Sequence, residues 1–266
     1  MPSTTKAGVA GGEIQYEVSG QGDALVFVSG LNGVGRYWAP QLPLFSKHFR
    51  VITYDQRGTG GSDRIQREFS VDQMAEELLG LMDVLNIERA HIVGMSTGGA
   101  IGQTIAIAHP QRVKKLVLCS TWTHCDAWFR RLFHARRDLY LQAGPALHAQ
   151  FHPLFLYSPE YVNAHDAEIE AERARAPTRS SPVEVSVARI DALLKFDRRE
   201  GLPTIKAKTL VMGSDCDFIT PSYFSAALAQ AIPGAKLAMY KGGGHSFTVT
   251  CAEQFNRDLM EFLSQQ

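Results

Sequence analysis

The sequence predicts an α/β architecture: a mostly parallel sheet flanked by helices and interrupted once by a helical insertion. Three observations carry this. Short β-rich runs alternate with amphipathic stretches. Several runs are near-continuous Val/Ile/Leu, as strands covered on both faces must be. The alternation lapses between Thr121 and about Leu202, then resumes.

The expected strands are Glu13–Val18, Ala24–Ser29, Arg50–Tyr54, Ala90–Val93, Lys115–Cys119, Lys208–Met212 and Lys236–Tyr240. Ser70 is placed to N-cap a helix running to about Asn86, with Met74, Leu78, Leu81, Met82 and Leu85 on one face. A second helix, Thr97 to about Ala108, stops before Pro110. Pro221–Ala231 and Cys251–Leu263 are the last two. The interrupting stretch reads as helices near Asp126–Gln142, Pro145–Phe155, Pro159–Arg175 and Pro182–Phe196, punctuated by Gly144-Pro145, Ser158-Pro159 and Pro177. The expected organisation is a core of residues 1–120 and 203–266 with a helical cap at 121–202.

Composition excludes other classes. The chain has 266 residues, 45% of them hydrophobic, enough for one large core. Acids and bases balance at 27 each, so no charge field points to nucleic acid or an anionic membrane surface. Apolar runs are too short to span a bilayer, and Met1–Ala10 lacks the basic and apolar regions of a signal peptide. Cys119, Cys125, Cys216 and Cys251 form no CxxC pair, which favours reduced thiols in a cytoplasmic protein. An exposed cap or edge helix offers a surface for a homodimer.

Gly94-Met95-Ser96-Thr97-Gly98-Gly99 lies between a buried strand and a helix. A serine at such a turn is strained and exposed, and the glycines let strand and helix approach. The helix N-terminus favours developing negative charge. A serine hydroxyl needs a base to become a nucleophile. His245 follows Gly242-Gly243-Gly244 just after the last strand, where its side chain can reach over the strand ends. The base needs a carboxylate to fix its tautomer. Asp217, heading a run into a helix, is preferred; Asp215 is the competitor that instead shapes the turn. The backbone N–H groups of Leu31, in Ser29-Gly30-Leu31-Asn32, and of Thr97 are the expected oxyanion donors.

Together these motifs, with Tyr54-Asp55-Gln56-Arg57-Gly58-Thr59-Gly60-Gly61-Ser62-Asp63, resemble the ordered set of the α/β-hydrolase superfamily over about residues 13 to 263. Gly94 to Gly102 resembles the 3-oxoadipate enol-lactonase type. Ser29–Gly33 with Tyr37-Trp38, Asp55–Gly60 and Pro153–Tyr157 resembles the RutD-type aminoacrylate or carbamate hydrolases. The resemblance implies an α/β-hydrolase fold, the order Ser, Asp, His, and a structural role for Arg57 in tying loops together. Ser29 departs from the pattern, where many members carry histidine. Dehalogenase and epoxide-hydrolase activities are disfavoured, since those relatives carry aspartate at the position of Ser96.

Trp122 is expected either on the pocket wall or in the cap core, and Tyr37 and Trp38 stand similarly. Arg130, Arg131, Arg136 and Arg137 form a basic cluster, either a solvated face or, with Arg130 as the candidate, a carboxylate-binding group. His148 and His152 have i,i+4 spacing but no evident third ligand, so no metal is expected. No dinucleotide loop is present and no cofactor is expected. The function expected is a serine hydrolase of a small ester, lactone, carbamate or amide. The alternatives are carbon–carbon hydrolysis of a ring-cleavage product and a non-catalytic ligand receptor on the same scaffold.

Overall fold

The run Ala90–Met95 is buried along its whole length and sits in the middle of the sheet, as a strand apolar on both faces must. A computed structural model describes residues 5–31, 33–64, 69–175 and 181–265. These form one eight-stranded sheet: β1 (Thr5–Val9), β2 (Gly12–Ser19), β3 (Ala24–Val28), β4 (Arg50–Tyr54), β5 (Ala90–Met95), β6 (Val113–Cys119), β7 (Lys208–Ser214) and β8 (Lys236–Tyr240). The order is β1-β2-β4-β3-β5-β6-β7-β8. β2 is antiparallel to both neighbours, and every pairing from β4 onward is parallel.

The period-2 alternation of strands divides the core. Val26, Val28, Ile52, Ile92, Leu116, Leu118 and Val211 face one layer. Leu25, Phe27, Val51, Val93, Met95, Val117 and Met212 face the other. The first layer packs against α2 (Val71–Val84), α3 (Thr97–Ala108) and α9 (Ser222–Ala231). The second packs against Trp38, Phe45 of the short α1 (Leu42–Phe45), Phe247 of α10 (Phe247–Thr250) and the apolar face of α11 (Ala252–Ser264), which carries Phe255, Leu259 and Phe262. Ser70 caps α2 as predicted, its hydroxyl accepting from the Gln73 N–H at 3.0 Å.

β1 was not predicted. It joins β2 through a tight hairpin at Ala10-Gly11, with φ of 123° at Gly11 and 138° at Gly12. Only Ala7 of its five residues is buried, so it offers almost no apolar signal.

Between β6 and β7 lie α4 (Ala127–Asp138), α5 (Gly144–Leu156), α6 (Pro159–Ala164), α7 (Asp166–Arg175) and α8 (Val183–Leu194). The neck is closed by backbone pairing of His124 with Asp197, Cys125 N–H to Phe196 O (3.2 Å) and Arg198 N–H to Thr123 O (3.0 Å). Two expected helices are divided. The first ends at Asp138 and continues as a wide turn, Leu139–Ala143, before Gly144 at φ 78°. Pro159–Arg175 breaks at His165, whose φ of −127° is not helical. Pro177 lies outside the described residues. No helix among the described residues is long and apolar enough to cross a membrane.

Candidate active site

The sheet order reverses at β3, between its neighbours β4 and β5, so the loops leaving the C-terminal ends of β3 and β5 part and open a crevice. Ser96 stands there, directly after β5 at the head of α3, with φ 53° and ψ −115°. That conformation costs a non-glycine residue about 1–3 kcal/mol and needs its surroundings to hold it. Ser96 N–H donates to Cys119 O (2.8 Å). Its carbonyl accepts from Gly99 N–H (2.9 Å), Ala100 N–H (3.2 Å) and the Thr121 hydroxyl (2.8 Å). The neighbouring glycines are obligatory. A Cβ on Gly94 would lie 2.2 Å from Gly98 O, and one on Gly98 would lie 2.0 Å from Val28 O.

The turn after β7 separates the two aspartates. Asp217 is buried: Oδ1 accepts from Ile219 N–H (2.9 Å) and Thr220 N–H (2.8 Å), and Oδ2 accepts from the Thr220 hydroxyl (2.8 Å). Both oxygens lie 2.9 Å from His245 Nδ1. Burial pushes the Asp217 carboxyl up, but the adjacent imidazole and these hydrogen bonds outweigh it and hold the group below the usual carboxylate range. Asp215 turns elsewhere, its exposed carboxylate accepting from Gly242 N–H at 2.8 Å. A proton on Nδ1 facing the carboxylate leaves Nε2 as the basic nitrogen of His245. The His245 loop is tied to the end of α5. Ser246 N–H donates to Leu156 O (3.0 Å), and a Cβ on Gly244, at φ 66°, would lie 2.7 Å from that same oxygen.

The loop after β3 reaches Ser96 through Gly30, where a Cβ would sit 3.3 Å from Ser96 Cβ. Gly33 N–H donates to Gly30 O (2.9 Å), and the Ser29 hydroxyl donates to Val34 O (2.8 Å), so the serine found in place of histidine fastens the loop to itself. Asn32 lies outside the described residues. Thr97 opens α3, and the first N–H groups of a helix have no intrahelical acceptor.

Arg189 of α8, which sequence reasoning missed, spans this region. It donates from Nε to Leu31 O (3.0 Å), from Nη1 to Arg57 O (3.1 Å) and from Nη2 to Gln56 Oε1 (2.5 Å). A signal was present: Arg189 shares the inward face of α8 with Val185 and Leu193. Arg57 is structural, bonding Glu77 at 2.5 Å and stacking over Phe69 at 4.2 Å.

A cavity of about 510 Å³ opens between the β6–β7 helices and the sheet loops, with Tyr37, Tyr140, His148, His152, Leu156 and Ser246 among its walls. Tyr37 is thus a wall residue, its hydroxyl 2.5 Å from Thr248 Oγ1. A second cavity of about 380 Å³ lies by Tyr16, Tyr54 and Asp55; Ser96 and His245 themselves line neither cavity, and the first comes next to His245 at Ser246.

For Trp122, Trp38 and Arg130, each expected at the pocket or elsewhere, the structure takes the second alternative. Trp122 is fully buried, stacked on Phe129 at 4.5 Å, and Trp38 is fully buried on Phe27 at 4.6 Å; both are core. Arg130 is exposed on α4. The inward arginine of that cluster is Arg136, spaced with Phe129 and Phe133 on the buried face. Its guanidinium lies 5.0 Å from the Phe133 ring centre and 5.1 Å from that of Phe155. Ring contacts return roughly 0.5–2 kcal/mol each, while desolvating an ion costs several. Burial accordingly pushes its pKa down to about 10. Its neighbour Arg137 pairs with Asp191 at 3.1 Å.

His148 stacks on Tyr140 at 3.8 Å, and its ring centre is 5.7 Å from that of His152. Burial, then the Arg136 charge, drives the His148 pKa down to about 2 and the His152 pKa down to about 3, so both are neutral. Among the described residues no group of three His, Cys, Asp or Glu side chains could hold a metal ion.

Comparison with known proteins identifies the fold family of the chain. Residues 23–250 match the family model described as the alpha/beta hydrolase fold. The chain is 39% identical over 253 residues to RutD of Yersinia enterocolitica, a protein named as a carbamate hydrolase, covering 93% of this chain and 91% of that one. It is 39% identical to the RutD protein of a Caulobacter species, covering 90% of each. Among solved structures, the enol-lactonase from Burkholderia xenovorans superposes with a TM-score of 0.91 at 27% identity, over 98% of this chain and 100% of that one.

Proposed function

The chain belongs to the alpha/beta-hydrolase fold family and is an enzyme of that fold, and on this premise we propose that it is a serine hydrolase cleaving a small ester, lactone, carbamate or amide through an acyl-enzyme. The observation that carries the reading is the grip of Asp217 on His245: both carboxylate oxygens lie 2.9 Å from Nδ1, so the basic Nε2 is left for a serine. In this reading Nε2 takes the Ser96 hydroxyl proton as Oγ attacks the substrate carbonyl. The N–H groups of Leu31 and Thr97 hold the oxyanion. The imidazolium protonates the leaving oxygen or nitrogen, and Asp217 stabilises its charge. Water, deprotonated by Nε2, then releases the acid and restores Ser96. Residues 121–202 act as a cap over this chemistry, and the family names of the relatives favour carbamates and enol lactones as the first substrates to try.

The test is a fluorophosphonate probe with an ester, lactone and carbamate panel. Wild type is expected to label once, at Ser96, and to turn over one or more of the panel. Ser96→Ala is expected to stay folded, escape labelling and lose turnover. Labelling at another residue, or unchanged turnover in Ser96→Ala, overturns the reading.

A further inference from the structure

α5 supplies Pro145, His148, Ala149, His152, Pro153 and Leu156 to the wall of the 510 Å³ cavity. Their spacing is that of one helical face, so α5 lies lengthwise along the cavity. One end of this face is fixed beside the base, because Leu156 O accepts from Ser246 N–H at 3.0 Å. His148 stands about two turns earlier, roughly 12 Å along the axis at about 1.5 Å per residue.

The far end is built for hydrogen bonding. Tyr140 stacks on His148 at 3.8 Å, and Ser186 of α8, a neighbour of Tyr140, lines the same cavity. His148 is 4% exposed, yet its Nε2 has no hydrogen-bond partner. A buried polar side chain left incomplete on a cavity wall calls for water or a ligand. Among the described residues no cation stands at this end. Arg136 is not a wall residue. Of the arginines that are, Arg173 is tied to Glu170 at 2.8 Å, and Arg36 stands beside Tyr37.

We propose that α5 measures the substrate, and that His148 donates from Nδ1 to an uncharged acceptor, a ketone or amide carbonyl, at the end of the acyl chain remote from the scissile bond. The scissile bond rests on the serine-hydrolase reading; the acceptor seat does not. Nε2 is the sealed nitrogen, and an orphaned buried N–H is rarer than an orphaned acceptor. The ring proton therefore sits on Nδ1, the nitrogen left for the cavity. Burial keeps this imidazole neutral, so it offers no charge to hold a carboxylate. Ala149, the small residue next to His148 on the same face, leaves the way to it open. A chain without the acceptor displaces cavity water and leaves the N–H unpaired.

The test compares methyl esters of butanoic, hexanoic, octanoic and decanoic acid with counterparts of equal length ending in an acetyl group or a carboxylate. With wild type, the acetyl-ended ester is expected to exceed the plain ester in kcat/KM by roughly 10- to 100-fold at one chain length, the scale of one buried hydrogen bond left unmade. The carboxylate-ended ester is expected to show no such gain. In His148→Phe, which keeps the stacked ring, the acetyl-to-plain ratio should fall to within about twofold of one. Ala149→Leu should move the preferred length toward shorter chains. Methyl hexyl ketone has no scissile bond, and calorimetric titration with it should show binding to wild type and roughly tenfold weaker binding to His148→Phe. If His148→Phe does not fold, the wild-type preference and the Ala149→Leu shift decide. No acetyl preference at any length, the same preference in His148→Phe, an unmoved optimum in Ala149→Leu, or a carboxylate preferred over the ketone overturns the proposal. Persistent turnover in Ser96→Ala would instead sink the hydrolase reading and leave the titration standing.

Discussion

Arg189 donates through Nε to the carbonyl of Leu31 at 3.0 Å, so a helix from the β6–β7 insertion fixes the loop that runs beside Ser96. The same guanidinium also satisfies Arg57 O and Gln56 Oε1. Arg189→Met should leave these three acceptors unsatisfied at about 1–3 kcal/mol for each buried one. The expected outcome is a clear fall in melting temperature and a larger proportional loss of kcat than of KM. A variant with wild-type stability and kcat would show that the loop holds itself.

Asp217 and Asp215 give opposite expectations from two residues' separation. Asp217→Asn presents an amide where His245 needs an acceptor on both oxygens, and kcat should drop on the order of 10⁴-fold. Asp215→Asn retains the oxygen that accepts from Gly242 N–H, and kcat should stay within about threefold, since a surface change of this kind is near neutral. Steady-state kinetics of the pair checks both.

Gly98 and Gly30 divide scaffold from site. A methyl on Gly98 meets Val28 O at 2.0 Å, a backbone atom that cannot swing away, so Gly98→Ala should fail to accumulate as folded protein. A methyl on Gly30 meets Ser96 Cβ at 3.3 Å, which needs only a small shift. Gly30→Ala should therefore fold, melt within a few degrees of wild type, and lose activity by crowding the nucleophile. Circular dichroism and turnover measured together separate the two.

His148 predicts acid sensitivity. Its folded pKa of about 2 lies far below the ordinary 6.5, so the unfolded chain binds a proton there that the folded chain refuses. Stability is intact above about pH 6.5 and falls as pH drops below it, at a limit near 1.4 kcal/mol per pH unit. His148→Phe preserves the ring stacked on Tyr140 and should flatten this fall. Denaturant melts at pH 7 and pH 5 for both proteins check it; equal losses would mean that His148 is protonated in the folded state.

Much of this was readable beforehand because it rests on local chemistry. β4, β8 and α3 run where the apolar pattern and flanking punctuation put them, since a buried strand or helix admits few alternatives. The Ser96 turn was legible because its glycines are sterically forced. The choice between Asp217 and Asp215 depended on a contact across 28 residues of chain, which spacing cannot express. β1 was invisible because an edge strand buries too little to leave a pattern. Which arginine of the cluster turns inward is a matter of helical phase, which counting charges does not give: Phe129, Phe133 and Arg136 fall on one face, and Arg130 does not. Trp122 and Trp38 were ambiguous because a large aromatic side chain suits a core and a pocket wall equally well.

The tie between Leu156 O and Ser246 N–H has a bearing on how this scaffold can be rebuilt. The helices between β6 and β7 look like an exchangeable module, entering and leaving through a narrow paired neck. Yet they deliver one bond beside His245 and another to Leu31. A transplanted insertion would have to reproduce both attachment points as well as a pocket, so grafting for new specificity should succeed only when donor and recipient match at those two seams.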